Sequence, residues 1–175
     1  DLVITSPLKR ARETGELTVA ASEKNFGRKI PIIEDHRIME FNWGCWEGLG
    51  CLENNFEVPD PNYNIFYTDA FHYQGSPDGE SVADVMERTV DFFNELIANP
   101  DYQDKTILIA THGCALRAML NPLYENRDSF WQEHVPYNCA VTIIDVQNGQ
   151  AKITAKDKIY YDESLCFDHY KVIDK

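Results

Sequence analysis

Basic residues are scarce in this 175-residue chain: 16 Lys and Arg stand against 29 Asp and Glu, a formal net charge of −13. A field of that sign repels nucleic acid and anionic membranes, so neither is an expected partner. A phosphorylated small molecule would be repelled as well, so any site for one must be locally basic. Long hydrophobic runs are missing, and nothing approaches the roughly 20 apolar residues of a membrane-spanning helix. Cysteines are few and unpatterned. Cys45, Cys51, Cys114, Cys139 and Cys166 are odd in number and form no Cys-x-x-Cys pair. They read as reduced thiols of a cytoplasmic protein, not as a disulfide framework. Cys45 and Cys51 could meet only if the glycine-containing loop between them folds back. No His/Cys grouping has zinc-ligand spacing, so no metal is expected. There is no internal repeat and no low-complexity segment.

What is present suits one globular domain spanning residues 1–175. Apolar residues make up 43% of the chain, and its length can bury a sizeable core. Leu2, Val3 and Ile4 form a short apolar run suited to a buried strand. Ser6 is placed to cap a helix and Pro7 to open its first turn, with Leu8, Ala11, Gly15 and Val19 recurring at helical spacing. A second strand is predicted at 30–33. Residues 51–78 are polar and aromatic, hold three prolines after Val58, and read as an irregular lid or insertion.

"PDGES" then opens a clear helix. Ser81 and Asp84 resemble a capping box, and Val82, Val85, Met86, Thr89, Phe93, Leu96 and Ile97 mark one buried face. Asn99-Pro100 ends it. The strand-turn-helix pattern recurs in "TILIATHGCALRAML": a buried strand at 107–110, a turn at 111–113 and a helix at 114–120, stopped before Pro122. A short helix is predicted at 129–134. A hairpin is predicted from strands at 140–146 and 151–155 around Asn148-Gly149. The tail from Ser164 is polar and is expected to pack loosely. Alternating strands and helices imply an α/β fold with a mostly parallel sheet flanked by helices. In such sheets ligands bind beyond the carboxyl ends of the strands, where helix N-termini offer N–H groups to anions. The turns at Ser6 and His112 both lie at such ends.

Three residues could carry chemistry there. Arg10, one turn into the first helix, could fork onto phosphate oxygens or be a solvated helix arginine. Lys9 and Arg12 point elsewhere on the helix. His112 follows an apolar strand and precedes Gly113, so it could bind a phosphoryl group or relay a proton, or be a hydrogen-bonded turn histidine. Glu40 stands in "MEFNWGCWEG" beside Phe41, Trp43 and Trp46, where desolvation would raise its pKa toward that of a general acid. Glu47 in the same loop is a rival, and either could be an exposed loop acid.

"SPLKRARET", "RIMEFNWGCWEG", "PDGES", "LIATHGCALRAML" and "VPYNCAV" occur in this order. Together they resemble the histidine phosphatase superfamily, which includes the cofactor-dependent phosphoglycerate mutases, from residue 1 to about 162. The resemblance implies a phosphoglycerate mutase-like fold, a phosphohistidine mechanism, a small phosphorylated substrate, and no cofactor or metal. It implies that Arg10 binds phosphate and that Glu40 is the proton donor. His112 would be the second histidine, binding the phosphoryl group with help from the Gly113 amide. Trp43 and Phe41 would fall at the substrate pocket. The sequence departs from the family in lacking its Arg-His-Gly motif. In the family that motif lies on a central strand some dozens of residues before the "SPLKRA" segment and supplies the attacking histidine. The expectation is that residues preceding Asp1 are missing. These 175 residues alone would then be inactive, with an open sheet edge that promotes self-association into a homo-oligomer. His36, His72, His134 and His169 do not match the missing position.

No Lys or Arg occurs between Arg37 and Arg88. A phosphoglycerate mutase must also hold a carboxylate, and a second anionic group here would lack a charge partner. A phosphatase of small phosphomonoesters is therefore the expectation. A mutase-type phosphotransferase is one alternative. A non-catalytic phosphate-binding or interaction module is the other.

Overall fold

The computed structural model describes residues 1–52 and 55–166. Its centre is a parallel sheet of three strands in the order β2-β1-β5: β1 is Leu2–Thr5, β2 Ile32–Glu34 and β5 Ile107–Ala110. The register sets Val3 against Ile32 and Leu108, and Thr5 against Glu34 and Ala110. All four residues of β1 are buried. Its faces divide by the strand's period of two. Val3 meets helix α1 (Lys9–Phe26) at Gly15, while Leu2 and Ile4 join a cluster with Phe92, Phe93, Met119 and Leu120. The latter come from α3 (Val82–Ala98) and α4 (Gly113–Leu120), so helices flank the sheet on both sides as expected.

α3 begins where the sequence places it. The Ser81 hydroxyl accepts from the Asp84 N–H while the Asp84 carboxylate accepts from the Ser81 N–H, a complete capping box. The helix serves two cores. Val82 and Val85 pack with Phe41, Tyr63, Phe66, Tyr73 and Phe130, whereas Phe92 and Phe93 pack against the sheet. Each such buried side chain contributes roughly 1.5–3 kcal/mol of transfer free energy. Residues 51–78 hold little regular structure: strands β3 (Cys51–Leu52) and β4 (Asn55–Phe56), one turn of helix, α2 (Ile65–Thr68), and a 3-10 turn at Ala70–His72. They are held by aromatic packing, with Phe66 4.8 Å from Trp43 and 5.2 Å from Phe41 between ring centroids.

Several local expectations are corrected. Ser6 does not cap α1. The N-cap is Leu8 and the helix begins at Lys9, because the Ser6 hydroxyl accepts from the Leu8 N–H and turns toward His112. β5 is not wholly buried: Leu108 is 37% exposed, and among the described residues the strand pairs only with β1. No helix forms at 129–134. Gln132 and Glu133 adopt φ of 53° and 76°, and the Gln132 amide donates to the carbonyls of Asn126 and Ser129. The second strand lies at Ile32–Glu34, later than predicted.

The hairpin of β6 (Val141–Gln147) and β7 (Gln150–Lys158) forms around Asn148-Gly149, both at positive φ, as that dipeptide favours. Among the described residues it pairs with no strand of the central sheet. Val141, Ile143 and Val146 remain 36–41% exposed. All five cysteines are free thiols. Among the described residues no helix is long and apolar enough to cross a membrane. The predicted loose packing of the tail beyond residue 166, and His169, lie outside the described residues.

One buried ion pair ties the hairpin to α4. Arg117 donates to both carboxylate oxygens of Asp157, at 2.6 and 3.3 Å, and also to the Tyr124 hydroxyl and the His134 carbonyl. Both side chains are essentially sealed from solvent, at 0% and 5% exposure. Removing one partner of such a pair strands the other charge. Asp157→Ala is expected to destabilise the fold by about 3–5 kcal/mol in denaturant unfolding. The apolar double variant Arg117→Met/Asp157→Leu should recover most of that loss.

Candidate active site

The site assembles at the carboxyl ends of β1 and β5. The two strands run parallel and in register, so Ser6 and His112 leave the sheet side by side, and the Ser6 N–H donates to the Ala110 carbonyl at 2.9 Å. His112 is 9% exposed and is the N-cap residue of α4. Its Nδ1 accepts from Arg10 Nε at 3.0 Å, and its Nε2 lies 2.9 Å from the Ser6 hydroxyl. An Nδ1 that accepts assigns the ring proton of the neutral imidazole to Nε2, which then donates to Ser6. Burial first, then the charges of Arg10 and Arg88, press the His112 pKa down to about 4. Ser6, read from sequence as a cap, is thus a partner of His112. A serine before Pro-Leu at a strand end carries no signal that separates the two roles.

Glu40 arrives from a loop stitched to the end of β5 by the Thr111 hydroxyl, which donates to the Ile38 carbonyl at 2.8 Å. Its carboxylate lies on the first turn of α4. One oxygen accepts from the N–H groups of Phe41 (3.0 Å) and Ala115 (3.1 Å), the other from Cys114 (3.2 Å). The sequence led us to expect these helix N–H groups to be free for a bound anion. Cys114 and Ala115 are instead engaged by the protein's own carboxylate. Desolvation raises the Glu40 pKa despite those three amides and the Arg10 charge, which pull it down. A Cβ at Gly113 would crowd Val135 Cγ1 at 3.2 Å but would meet the Glu40 carboxylate only at ordinary contact distance, 3.9 Å.

The structure therefore brings Arg10, His112, Gly113 and Glu40 together. The rival Glu47 is exposed and accepts from the Trp43 N–H within its own loop. Lys9 pairs with Glu13, and Arg12 with Glu16 and Glu34. His72 pairs with Asp69 and His134 lies 3.5 Å from Asp157. Phe41 is 3% exposed and sits inside the aromatic cluster, its ring 4.6 Å from Trp43, which stays partly exposed. Among the described residues no group of three or more His, Cys, Asp or Glu side chains could hold a metal ion. An open depression of about 520 Å³, lined by Trp46, Asp60, Gln74 and Ser76, belongs to the aromatic insertion and includes none of the four residues.

This geometry sets a titration. Because folding lowers the His112 pKa from 6.5 to about 4, the folded chain resists a proton that the unfolded chain accepts. Stability from this group is present above pH 6.5 and is lost as pH falls toward 4. In nitrogen NMR the His112 ring is expected to stay neutral, with its proton on Nε2, down to about pH 4. Arg10→Met should move that midpoint upward.

The chain and its fold have relatives. The family model for the histidine phosphatase superfamily (branch 1) matches residues 1–158. A 2,3-bisphosphoglycerate-dependent phosphoglycerate mutase of Corynebacterium efficiens is 29% identical over 144 residues, covering 70% of this chain and 56% of that protein. An uncharacterized phosphatase of Bacillus subtilis, PhoE, is 29% identical over 123 residues, covering 70% and 53%. The chain thus spans just over half the length of such curated relatives. Among solved structures, YhfR of Bacillus stearothermophilus superposes with a TM-score of 0.75 at 28% identity, covering 90% of this chain and 74% of that one. A mycobacterial glucosyl-3-phosphoglycerate phosphatase, solved with inorganic phosphate, superposes with a TM-score of 0.68 at 20% identity, covering 90% and 76%, a likeness of fold alone. With a model match over nearly its whole length, the chain belongs to the histidine phosphatase superfamily.

Proposed function

We propose that this site hydrolyses small phosphomonoesters through a phosphohistidine intermediate, the phosphorus being attacked by a histidine that these 175 residues lack. The observation that carries the reading is the meeting of Arg10, neutral His112 and the desolvated Glu40 at one pair of strand ends. Arg10 would exchange its bond to His112 Nδ1 for a forked pair to the phosphoryl oxygens. His112 and the Gly113 N–H would take the remaining charge as it develops. Glu40, whose pKa desolvation raises, would pass a proton to the leaving oxygen as the P–O bond breaks and the N–P bond forms. It would then take a proton from the water that cleaves the N–P bond. Trp43, partly exposed, would flank the leaving group.

Phosphatase rather than mutase action rests on the absence of Lys and Arg between Arg37 and Arg88. The relatives named as phosphoglycerate mutases keep mutase action as the second reading.

Inorganic phosphate binding tests the chain as it stands. Titration calorimetry is expected to show binding without turnover. Arg10→Ala or His112→Ala should each weaken it about 10-fold or more, the scale of one charge-assisted hydrogen bond. Glu40→Gln should bind at least as well as the wild type, since the amide carries no negative charge at any pH and Arg10 and His112 are kept. Failure of the wild type to bind phosphate would overturn the assignment. In a longer form carrying the attacking histidine, Glu40→Gln is expected to slow hydrolysis of alkyl phosphates by roughly 10²–10⁴-fold. Efficient phosphoglycerate mutation by that form would favour the second reading.

A further inference from the structure

The "PDGES" motif caps α3 through Ser81 and Asp84, yet its Glu80 takes no part in the cap. The Glu80 carboxylate turns to Arg88, two turns along the same helix. Arg88 Nε donates to one Glu80 oxygen at 2.6 Å, and a terminal nitrogen donates to the other at 2.9 Å. That same nitrogen donates to the main-chain carbonyl of Glu40 at 3.1 Å. The second terminal nitrogen donates to the carbonyls of Arg37 and Met39, both at 2.7 Å. Glu80 in turn accepts the Asn42 N–H at 2.9 Å. A guanidinium has five N–H donors in a fixed plane, and each is used here. An ammonium cannot reproduce that fork.

The loop around Glu40 is therefore gripped on both sides of the residue: at the carbonyls of 37, 39 and 40 by Arg88, and at the N–H of 42 by Glu80. With its backbone fixed there, the Glu40 side chain reaches the α4 amides. Both clamp residues are about one-fifth exposed, so the pair is shielded but not sealed. Loop tethering alone could be met by any hydrogen-bonding side chain. Here three of the five donors converge on the turn that aims a single carboxylate, and the other two hold Glu80, which grips the same turn at Asn42.

We propose that Arg88 and Glu80 are a positioning pair, which holds the backbone of 37–42 so that the Glu40 carboxyl rests on the Cys114 and Ala115 amides beside Arg10 and His112. The proposal extends the reading of Glu40 as proton donor and rests on it for its catalytic meaning, but its geometric content stands without turnover.

The test uses the 175-residue chain without substrate. The amides of Cys114 and Ala115, observed by proton–nitrogen NMR, should report the titration of Glu40, with a midpoint above the ordinary carboxyl value of 4.5. The charged and titratable groups acting on that carboxyl are Arg10 from α1 and Cys114 from α4, while Arg88 and Glu80 hold the main chain of its loop and act on the Cys114 thiol. The Cys114 thiol is pushed well above 9.0 and stays silent in this range, and His112 is followed separately at its own ring. In Arg88→Lys the titration at both amides should be lost or fall to the ordinary midpoint, as the carboxyl leaves the helix. Glu80→Ala should move it in the same direction by less. A fall in thermal stability with the amide titration unchanged would make the clamp merely structural and overturn the proposal. If Arg88→Lys does not fold, Glu80→Ala decides by the same criterion. Because no substrate is present, failure here is distinguishable from failure of the proposed hydrolysis.

Discussion

Parallel pairing of β1 with β5 sets Thr5 opposite Ala110, and the Ser6 amide extends the ladder onto the Ala110 carbonyl. That register makes His112 a neighbour of both Ser6 and Arg10, residues more than a hundred positions away in the chain. A slip of one residue would reverse the faces of β1 and turn Leu2 and Ile4 away from α3 and α4. The apolar pattern of two short strands thus fixes the chemistry at their ends. The helices then hold that register, α1 from one face and α3 with α4 from the other.

Dryness and charge are balanced locally against an acidic whole. Burial favours the neutral form of both His112 and Glu40, moving the histidine down and the carboxyl up. Arg10 acts on both in the direction expected of a fixed positive charge. Acid away from the site is partly balanced in exposed helical pairs such as Lys9–Glu13 and partly in excess, as around Arg37, which bridges Asp35, Asp91 and Glu95. Exposed pairs of this kind add little stability. The fold is carried by its two apolar cores, and the buried Arg117–Asp157 tie fixes where the hairpin meets α4.

Sequence reasoning succeeded where the signal is local. The Ser81/Asp84 box, the Asn148-Gly149 turn and the strand-turn-helix around His112 each depend on a few adjacent residues, and each was legible. The meeting of Arg10, His112 and Glu40 was reached through five motifs in order, since nothing in the spacing of positions 10, 40 and 112 specifies contact. What escaped depends on distant partners. Ser6 has one hydroxyl, and whether it caps a helix or faces His112 is settled by a residue from β5's end. Gln132 and Glu133 turn left-handed because the Gln132 amide is held by carbonyls at 126 and 129, overriding a helical pattern. Arg88 marked only the end of a stretch without basic residues, and its grip on the carbonyls of 37, 39 and 40 depends on a loop far from it in the chain.

The first turn of α4 is occupied by Glu40, and that bears on product release. Helix amides are among the strongest receptors a protein can offer an oxyanion. Here two of them are committed to an internal carboxylate, so inorganic phosphate would be retained by Arg10, an exposed side chain, by the Gly113 N–H and by an imidazole that resists protonation. In the proposed hydrolysis such a site lets its product go readily, and release would place little drag on the cycle.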